Sequence, residues 1–233
     1  MAKRQIILDT ETTGIDPRQG HRIIEIGCVE MVNRRLTGNN FHVYINPQRT
    51  IEDEAINVHG ITNEFLTDKP LFKEVADEFF DYIKGGELVI HNAPFDIGHM
   101  DNEFGILRQD WTGTEEFCPV VDTLVMAREK HPGQKNTLDA LCRRYEIDNS
   151  HRLLHGALLD SEILADVYLQ MTGGQVAMDL AHQLKQGQSG NAETSLKQRN
   201  LTVVYAQADE LKAHEERLDI VEKDGAAPIW RKE

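Results

Sequence analysis

Carboxylates stand in this chain where the surrounding pattern asks for apolar residues. Asp9 and Glu11 follow directly on Ile6-Ile7-Leu8, Asp96 ends the run His91-Asn92-Ala93-Pro94-Phe95-Asp96, and Asp160 ends His155-Gly156-Ala157-Leu158-Leu159-Asp160. Ile6, Ile7 and Leu8 are β-formers, so Asp9 and Glu11 continue a strand whose period of two turns both carboxylates to one face. Two like charges about 4 Å apart repel by roughly 4 kcal/mol at an effective dielectric near 20. A cation between them removes that cost, and hard divalent ions take oxygen ligands. Asp160 repeats the signal on a helix, sharing a face with Ala157, Leu164, Val167 and Met171. A carboxylate on a core-facing stripe is costly unless paired or metal-bound. His155 lies about 140° from Asp160 on an ideal helix. The two converge only if His155 sits in the preceding loop or a frayed first turn, which Gly156 permits.

The elements that must position these groups are legible from periodicity and punctuation. Strands are expected over Gln5–Glu11, Arg22–Asn33 and Leu36–Asn46, the last two joined as a hairpin by a short polar break. Residues 47–69 read as a long connection carrying Val58-His59-Gly60-Ile61, which puts His59 in a loop. Lys69-Pro70 opens a helix with the stripe Phe72, Val75, Ala76, Phe79 and Ile83, ended by Gly85-Gly86. Leu88-Val89-Ile90 is a short buried strand. Pro94 starts a helix with the stripe Ile97, Met100, Phe104 and Leu107, which sets Asp96 in its first turn. Phe117–Val121 reads as a last strand, and helices follow near Thr123–Lys130, Thr137–Tyr145 and Gly156–Met171. Three strands, then alternating helices and strands, predict an α/β fold with a mixed sheet.

Three regions are expected: a catalytic domain over 1–174, a connecting segment over 175–200, and a C-terminal segment over 201–233. Residues 183–200 are rich in Gln, Ser, Gly and Asn, the composition of a flexible linker. Beyond them, Asp209 caps a charged helix with the stripe Leu211, Leu218 and Val221, and Trp230 follows. So short a segment buries too little to fold alone, and its apolar residues point to folding on a partner.

Composition limits the function classes. No apolar stretch approaches the roughly 20 residues of a membrane helix, and the first residues do not read as a signal peptide. Cys28, Cys118 and Cys142 have no paired spacing, which argues for a reducing, cytoplasmic setting without disulfides or a zinc knuckle. The net charge of −14 excludes a general DNA-coating protein, because phosphate neutralisation drives that binding. Nucleic acid must be held locally, through bound metals and a few contacts.

The motifs Asp9-Thr10-Glu11-Thr12-Thr13-Gly14, Asn92-Ala93-Pro94-Phe95-Asp96 and His155-x4-Asp160 resemble the DEDD superfamily of 3′→5′ exonucleases in its histidine-bearing (DEDDh) branch. Nearly the whole chain, weakest in the linker, is similar to the proofreading subunits of bacterial DNA polymerase III. That similarity runs through Asn33–Phe41, Val58-His59-Gly60-Ile61, Tyr145–Ser150 and the tail Ala213–Asp219. The resemblance implies an RNase H-like fold and two divalent metal ions, Mg²⁺ or Mn²⁺, on Asp9, Glu11, Asp96 and Asp160, with His155 as general base. It implies hydrolysis that releases nucleoside 5′-monophosphates from DNA 3′ ends. Thr12, His59, Asn92 and Phe95 are the expected substrate contacts beside Asp9, Glu11 and Asp160, although a core aromatic reading of Phe95 is equally open. Residues 201–233 are expected to dock on the polymerase α (alpha) subunit, at the bacterial replisome. Gln175-Val176-Ala177-Met178-Asp179-Leu180 resembles a sliding-clamp (β) peptide, with Gln175, Met178 and Leu180 as anchors. The accessory θ (theta) subunit is a further implied partner.

Other readings of these residues are weaker. His151 and His155 have the spacing of a zinc pair but lack a third ligand, and His151 reads as a surface residue. A non-catalytic scaffold would have lost at least one of five costly site residues, and none is missing. An RNA- or oligonucleotide-trimming exonuclease shares the chemistry but leaves the linker and apolar tail unexplained.

Overall fold

A computed structural model of the chain describes residues 3–150, 152, 154–173 and 207–223. The polypeptide divides into two compact units, Met1–Ala177 and Met178–Glu233. The described part of the second is one helix, α8 (Ala208–Lys223), in which Leu211 is exposed and Leu218 buried. The expected boundaries at 174 and 200, Gln175, Met178, Leu180 and Trp230 lie outside the described residues, as does the side chain of Val221.

The first unit is a mixed six-stranded sheet between layers of helices. Strand β1 (Arg4–Thr12) pairs antiparallel with β2 (Ile23–Val32) along its length and parallel with β5 (Glu87–Ile90) over Gln5–Ile7 only. Beyond these, β6 (Val120–Asp122) adds parallel to β5, while β3 (Arg35–Leu36) and β4 (Phe41–Tyr44) pair with β2. The helices are α1 (Asp53–His59), α2 (Asn63–Leu66), α3 (Phe72–Ile83), α4 (Ala93–Leu107), α5 (Thr123–Lys130), α6 (Leu138–Tyr145) and α7 (Ala157–Thr172).

Alternation along β1 assigns each residue to a layer. Ile6 and Leu8 pack with Phe79, Met100 and Phe104 of α3 and α4, whereas Ile7 packs with Leu164, Ala165 and Tyr168 of α7. Odd positions of β1 therefore look toward α7 and even positions toward α4. The catalytic-type residues inherit that division.

Asp209, expected as the N-cap of the C-terminal helix, lies inside the first turn of α8, and within the first unit the structure differs from the sequence reading in three places. The strand expected over Leu36–Asn46 is two short strands. Thr37 bonds back to Glu30 through its backbone N–H (3.0 Å) and its hydroxyl (2.7 Å), and Gly38 turns at φ +81° before the chain rejoins β2. The connection 47–69 holds α1 and α2, so His59 ends a helix, where Gly60 at φ +74° closes the last turn. The expected strand Phe117–Val121 begins later, because the amides of Phe117 and Cys118 bond to Thr114 O in a 3₁₀ turn at 3.0 Å each.

Candidate active site

The edge of β1 explains how Asp96 arrives. Pairing with β5 stops at Ile7, because the chain after Ile90 turns into α4. Asn92 makes that turn at φ +71°, a left-handed conformation in which Asn is enriched. The freed Thr10 amide and hydroxyl then donate to Asp96 Oδ1 at 3.0 and 2.7 Å. An even-numbered threonine thus fastens the first turn of α4 to β1. Arg22 makes a second tie, donating to both oxygens of buried Glu103 on α4 at 2.7 Å.

Asp160 reaches the other face of β1 through a close approach of helix and strand. Gly27 pairs with Asp9 in the β1–β2 ladder, and a Cβ there would stand 2.1 Å from Leu158 N and 2.2 Å from Ala157 C. Only glycine lets the start of α7 lie that low. The Ser161 hydroxyl holds it there, donating to Gly27 O at 2.9 Å. Gly27→Ala is expected to lift the helix and misplace Asp160. Overpacking of this kind costs about 1–3 kcal/mol, and displacement near 1 Å reduces turnover about 10²-fold. Urea unfolding and nuclease rates on the same variant measure both effects.

His155 lies just before the extended cap Gly156 of α7, and its amide donates to Val58 O of α1 at 3.1 Å. Ligand atoms of Glu11, His155 and Asp160 consequently lie within 4.8 Å of one another. Arg152 lies against them, with donors to Asp160, Asp139 and His155.

The electrostatics record the crowding. Burial, then Asp96, Glu11 and Asp160, pushes the Asp9 carboxyl well above the usual range. Burial first, followed by Asp160 and Glu25, raises Glu11 to about 8. Burial raises Asp96 to about 7 against the lowering effect of the Thr10 bonds. His155 is lowered by burial and by Arg152, which leaves the imidazole neutral near pH 7. Glu11 Oε1 is buried without a hydrogen-bond partner among the described residues. An orphaned carboxylate oxygen among three more carboxylates is a donor set for hard divalent cations, so the residues present fit such ions.

Two cavities flank this row. One of about 610 Å³ is lined by Asp9, Asp160, His155, Asn92 and Arg128, among others. The other, about 220 Å³, is lined by Glu11, Thr12, Val58, His59 and Phe95, among others. Phe95 is half-buried, with its ring 4.6 Å from that of His99, so it faces a cleft and is no core aromatic. Buried His59 accepts from Ile61 N–H through Nδ1 at 3.0 Å, leaving Nε2 without a hydrogen-bond partner. Thr12 is buried and donates its hydroxyl to Gly14 O at 2.7 Å. The Thr13 amide is spent on Arg22 O at 2.9 Å. Asn92 belongs to the larger cavity, apart from His59 and Phe95.

Matches to known proteins agree with this arrangement. Residues 6–168 match the family model described as Exonuclease (RNase_T). A DNA polymerase III subunit epsilon of Salmonella typhimurium is 58% identical over 236 residues, spanning 98% of this chain and 97% of the relative. The chain belongs to the DNA polymerase III ε-subunit family. Solved structures carry the fold more widely. Exonuclease X in complex with 5′ overhanging duplex DNA is 26% identical with a TM-score of 0.57, over 73% of this chain and 92% of that one. The nuclease domain of 3′hExo, a DEDDh family member bound to rAMP, is 20% identical with a TM-score of 0.62, over the same 73% and 92%. As an ε-family chain with an RNase H-like fold, it is a proofreading 3′→5′ exonuclease, and divalent metal ions belong to its chemistry. The Salmonella typhimurium relative is named as a subunit of DNA polymerase III. Among the described residues, no helix is long and apolar enough to cross a membrane.

Sequence reasoning missed several residues of the site. Glu25 had a signal, a lone carboxylate in the apolar run Ile23-Ile24-Glu25-Ile26; it lies opposite Glu11 and bonds to His42 Nε2 at 2.7 Å. Thr10 and Arg152 had none. His151, read as a surface residue, lies outside the described residues.

Proposed function

We propose that this ε-family chain hydrolyses the last phosphodiester of single-stranded or mispaired DNA 3′ ends, with two ions, Mg²⁺ or Mn²⁺, held by Asp9, Glu11, Asp96 and Asp160. The observation that carries this reading is the convergence of Glu11, His155 and Asp160 within 4.8 Å beside two cavities. Bound there, the ions would supply positive charge to the entering and leaving oxygens of an in-line displacement. His155, neutral near pH 7, is the general base that accepts the proton of the attacking water. The water oxygen bonds to phosphorus, the P–O3′ bond breaks, and a nucleoside 5′-monophosphate leaves a strand one residue shorter.

The terminal nucleotide fits the smaller cleft, where His59 Nε2 offers an unused N–H and Phe95 offers a ring to pack on a sugar or base. Thr12 shapes the floor of this cleft, and Asn92 faces the strand on its 5′ side. None of these contacts reads base identity, which suits proofreading: a mismatched end frays and enters more readily. Polymerase α on residues 201–233, the sliding clamp on Gln175, Met178 and Leu180, and θ complete the assembly in the bacterial cytoplasm. A tether to α raises the local concentration to about the millimolar range. A chain ending at residue 200 is expected to lose α binding in a pull-down with purified α.

The deciding experiment is product analysis on a 3′-mismatched DNA primer, with Mg²⁺ and with EDTA, beside a matched RNA. Metal-dependent release of 5′-mononucleotides from the DNA end supports the reading. No cleavage by folded, metal-supplied protein overturns it, and preference for RNA shifts the substrate class.

A further inference from the structure

Arg152 is a buried cation in contact with the two groups a working site must keep free. Its side chain is 7% exposed, and Asp160 beneath it 6%. Nε donates to Asp160 Oδ1, Nη2 to Asp160 Oδ2 at 2.6 Å, and Nη1 to Asp139 Oδ1 at 2.9 Å. Nη2 also reaches His155 Nδ1 at 3.1 Å. A guanidinium has donors and no acceptor, so His155 Nδ1 must accept here, which leaves the ring proton on Nε2. With Nδ1 covered and Nε2 carrying hydrogen, the imidazole has no free lone pair for a water proton. Asp160 has both oxygens engaged. Among the described residues, no other Lys or Arg bonds to Asp9, Glu11, Asp96 or Asp160.

We propose that Arg152 is a displaceable internal cation, which occupies Asp160 and covers His155 until a divalent ion takes its place. The inference rests on the reading of Asp160 as a metal ligand. Four clustered carboxylates need positive charge to fold together, and the guanidinium supplies it through a bidentate, charge-assisted pair. The same pair makes Asp160 costly to ligate, because an ion must compete for both oxygens. Room for departure exists: Arg152 and Asp139 both line the cavity of about 610 Å³. Displacement would also uncover His155 Nδ1. One event thus loads the metal ligand and releases the base, and the site is held inactive without metal.

The test uses the full chain stripped of metal, with Mn²⁺ alone titrated calorimetrically and no DNA present. Arg152→Gln is expected to bind Mn²⁺ about tenfold tighter than the parent, a shift of the size typical of coupling free energies within a protein. Its metal-free Tm is expected to fall by about 2–4 °C or more, and its rise on Mn²⁺ addition to exceed the parent's. Asp139→Asn, which loosens Arg152 without touching Asp160, is expected to shift Mn²⁺ affinity the same way by a smaller factor. It carries the test if Arg152→Gln does not fold. Unchanged or weaker Mn²⁺ binding in the variants, with normal binding by the parent, overturns this inference alone. Absence of Mn²⁺ binding by the parent overturns the metal-site reading with it.

Discussion

Asp9→Asn is expected to abolish exonuclease activity while raising the thermal stability of the metal-free protein. The two effects have one cause. Asp9 sits where Asp96, Glu11 and Asp160 all oppose its ionisation, and burial opposes it further. Removing its charge relieves a repulsion that folding must otherwise overcome, by about 1–2 kcal/mol, or roughly 2–8 °C in Tm for a domain of this size. The same change removes one carboxylate of the set proposed to hold the ions, with an expected loss of about 10³-fold or more in rate. Glu103→Gln provides the contrast. Glu103 is also a buried carboxylate, yet it accepts from both Arg22 donors at 2.7 Å and from Ile23 N at 3.1 Å. Breaking that pair is expected to cost about 3–5 kcal/mol. Thermal melts in EDTA separate the two classes of carboxylate. A lower metal-free Tm for Asp9→Asn would mean that Asp9 serves the fold.

The second large effect is a reversal of pH dependence by metal. Glu11 is raised from 4.5 to about 8, and Asp96 from 3.8 to about 7. Between each pair of values the folded state holds a proton that the unfolded state has released. Stability therefore declines as pH rises through that interval. The benefit is fully present below about pH 4 and lost by about pH 8. These groups interact and titrate as a set, so the decline is a single broad transition amounting to several kcal/mol. Divalent ions bind the deprotonated set, so their affinity climbs over the same range. With saturating Mg²⁺ or Mn²⁺ the decline is expected to flatten. Chemical denaturation at pH 5, 6.5 and 8, with EDTA and with metal, reads this directly. A metal-free stability that rises from pH 5 to 8 would mean that these carboxylates ionise without penalty in the folded chain.

Much of the arrangement was legible before any coordinate. Strand β1, helices α3, α4 and α7, and the mixed sheet follow from hydrophobic period and from Pro and Gly punctuation, because those signals are local. Two of the three misread segments share a physical reason: their shape depends on specific polar bonds rather than on apolar period. Thr37 is turned by Glu30, and the Phe117 and Cys118 amides are claimed by Thr114. No periodicity encodes such bonds.

The same division runs through the site. Asp9, Glu11, Asp96 and Asp160 announce themselves because a carboxylate inside an apolar pattern is expensive wherever it ends up. Their identity, their order and the kind of ion they suit were therefore determined by sequence alone. What only the tertiary structure decided is how they meet. The early end of β1–β5 pairing leaves the Thr10 amide for Asp96, and Gly27 lets α7 bring Asp160 down to the strand. It also decided which cation answers them: Arg152 is an ordinary loop arginine in the sequence, and its hold on Asp160, Asp139 and His155 exists only once α6, α7 and the loop between them have packed. Desolvation and repulsion are properties of single positions, but compensation for them requires partners far apart in the chain.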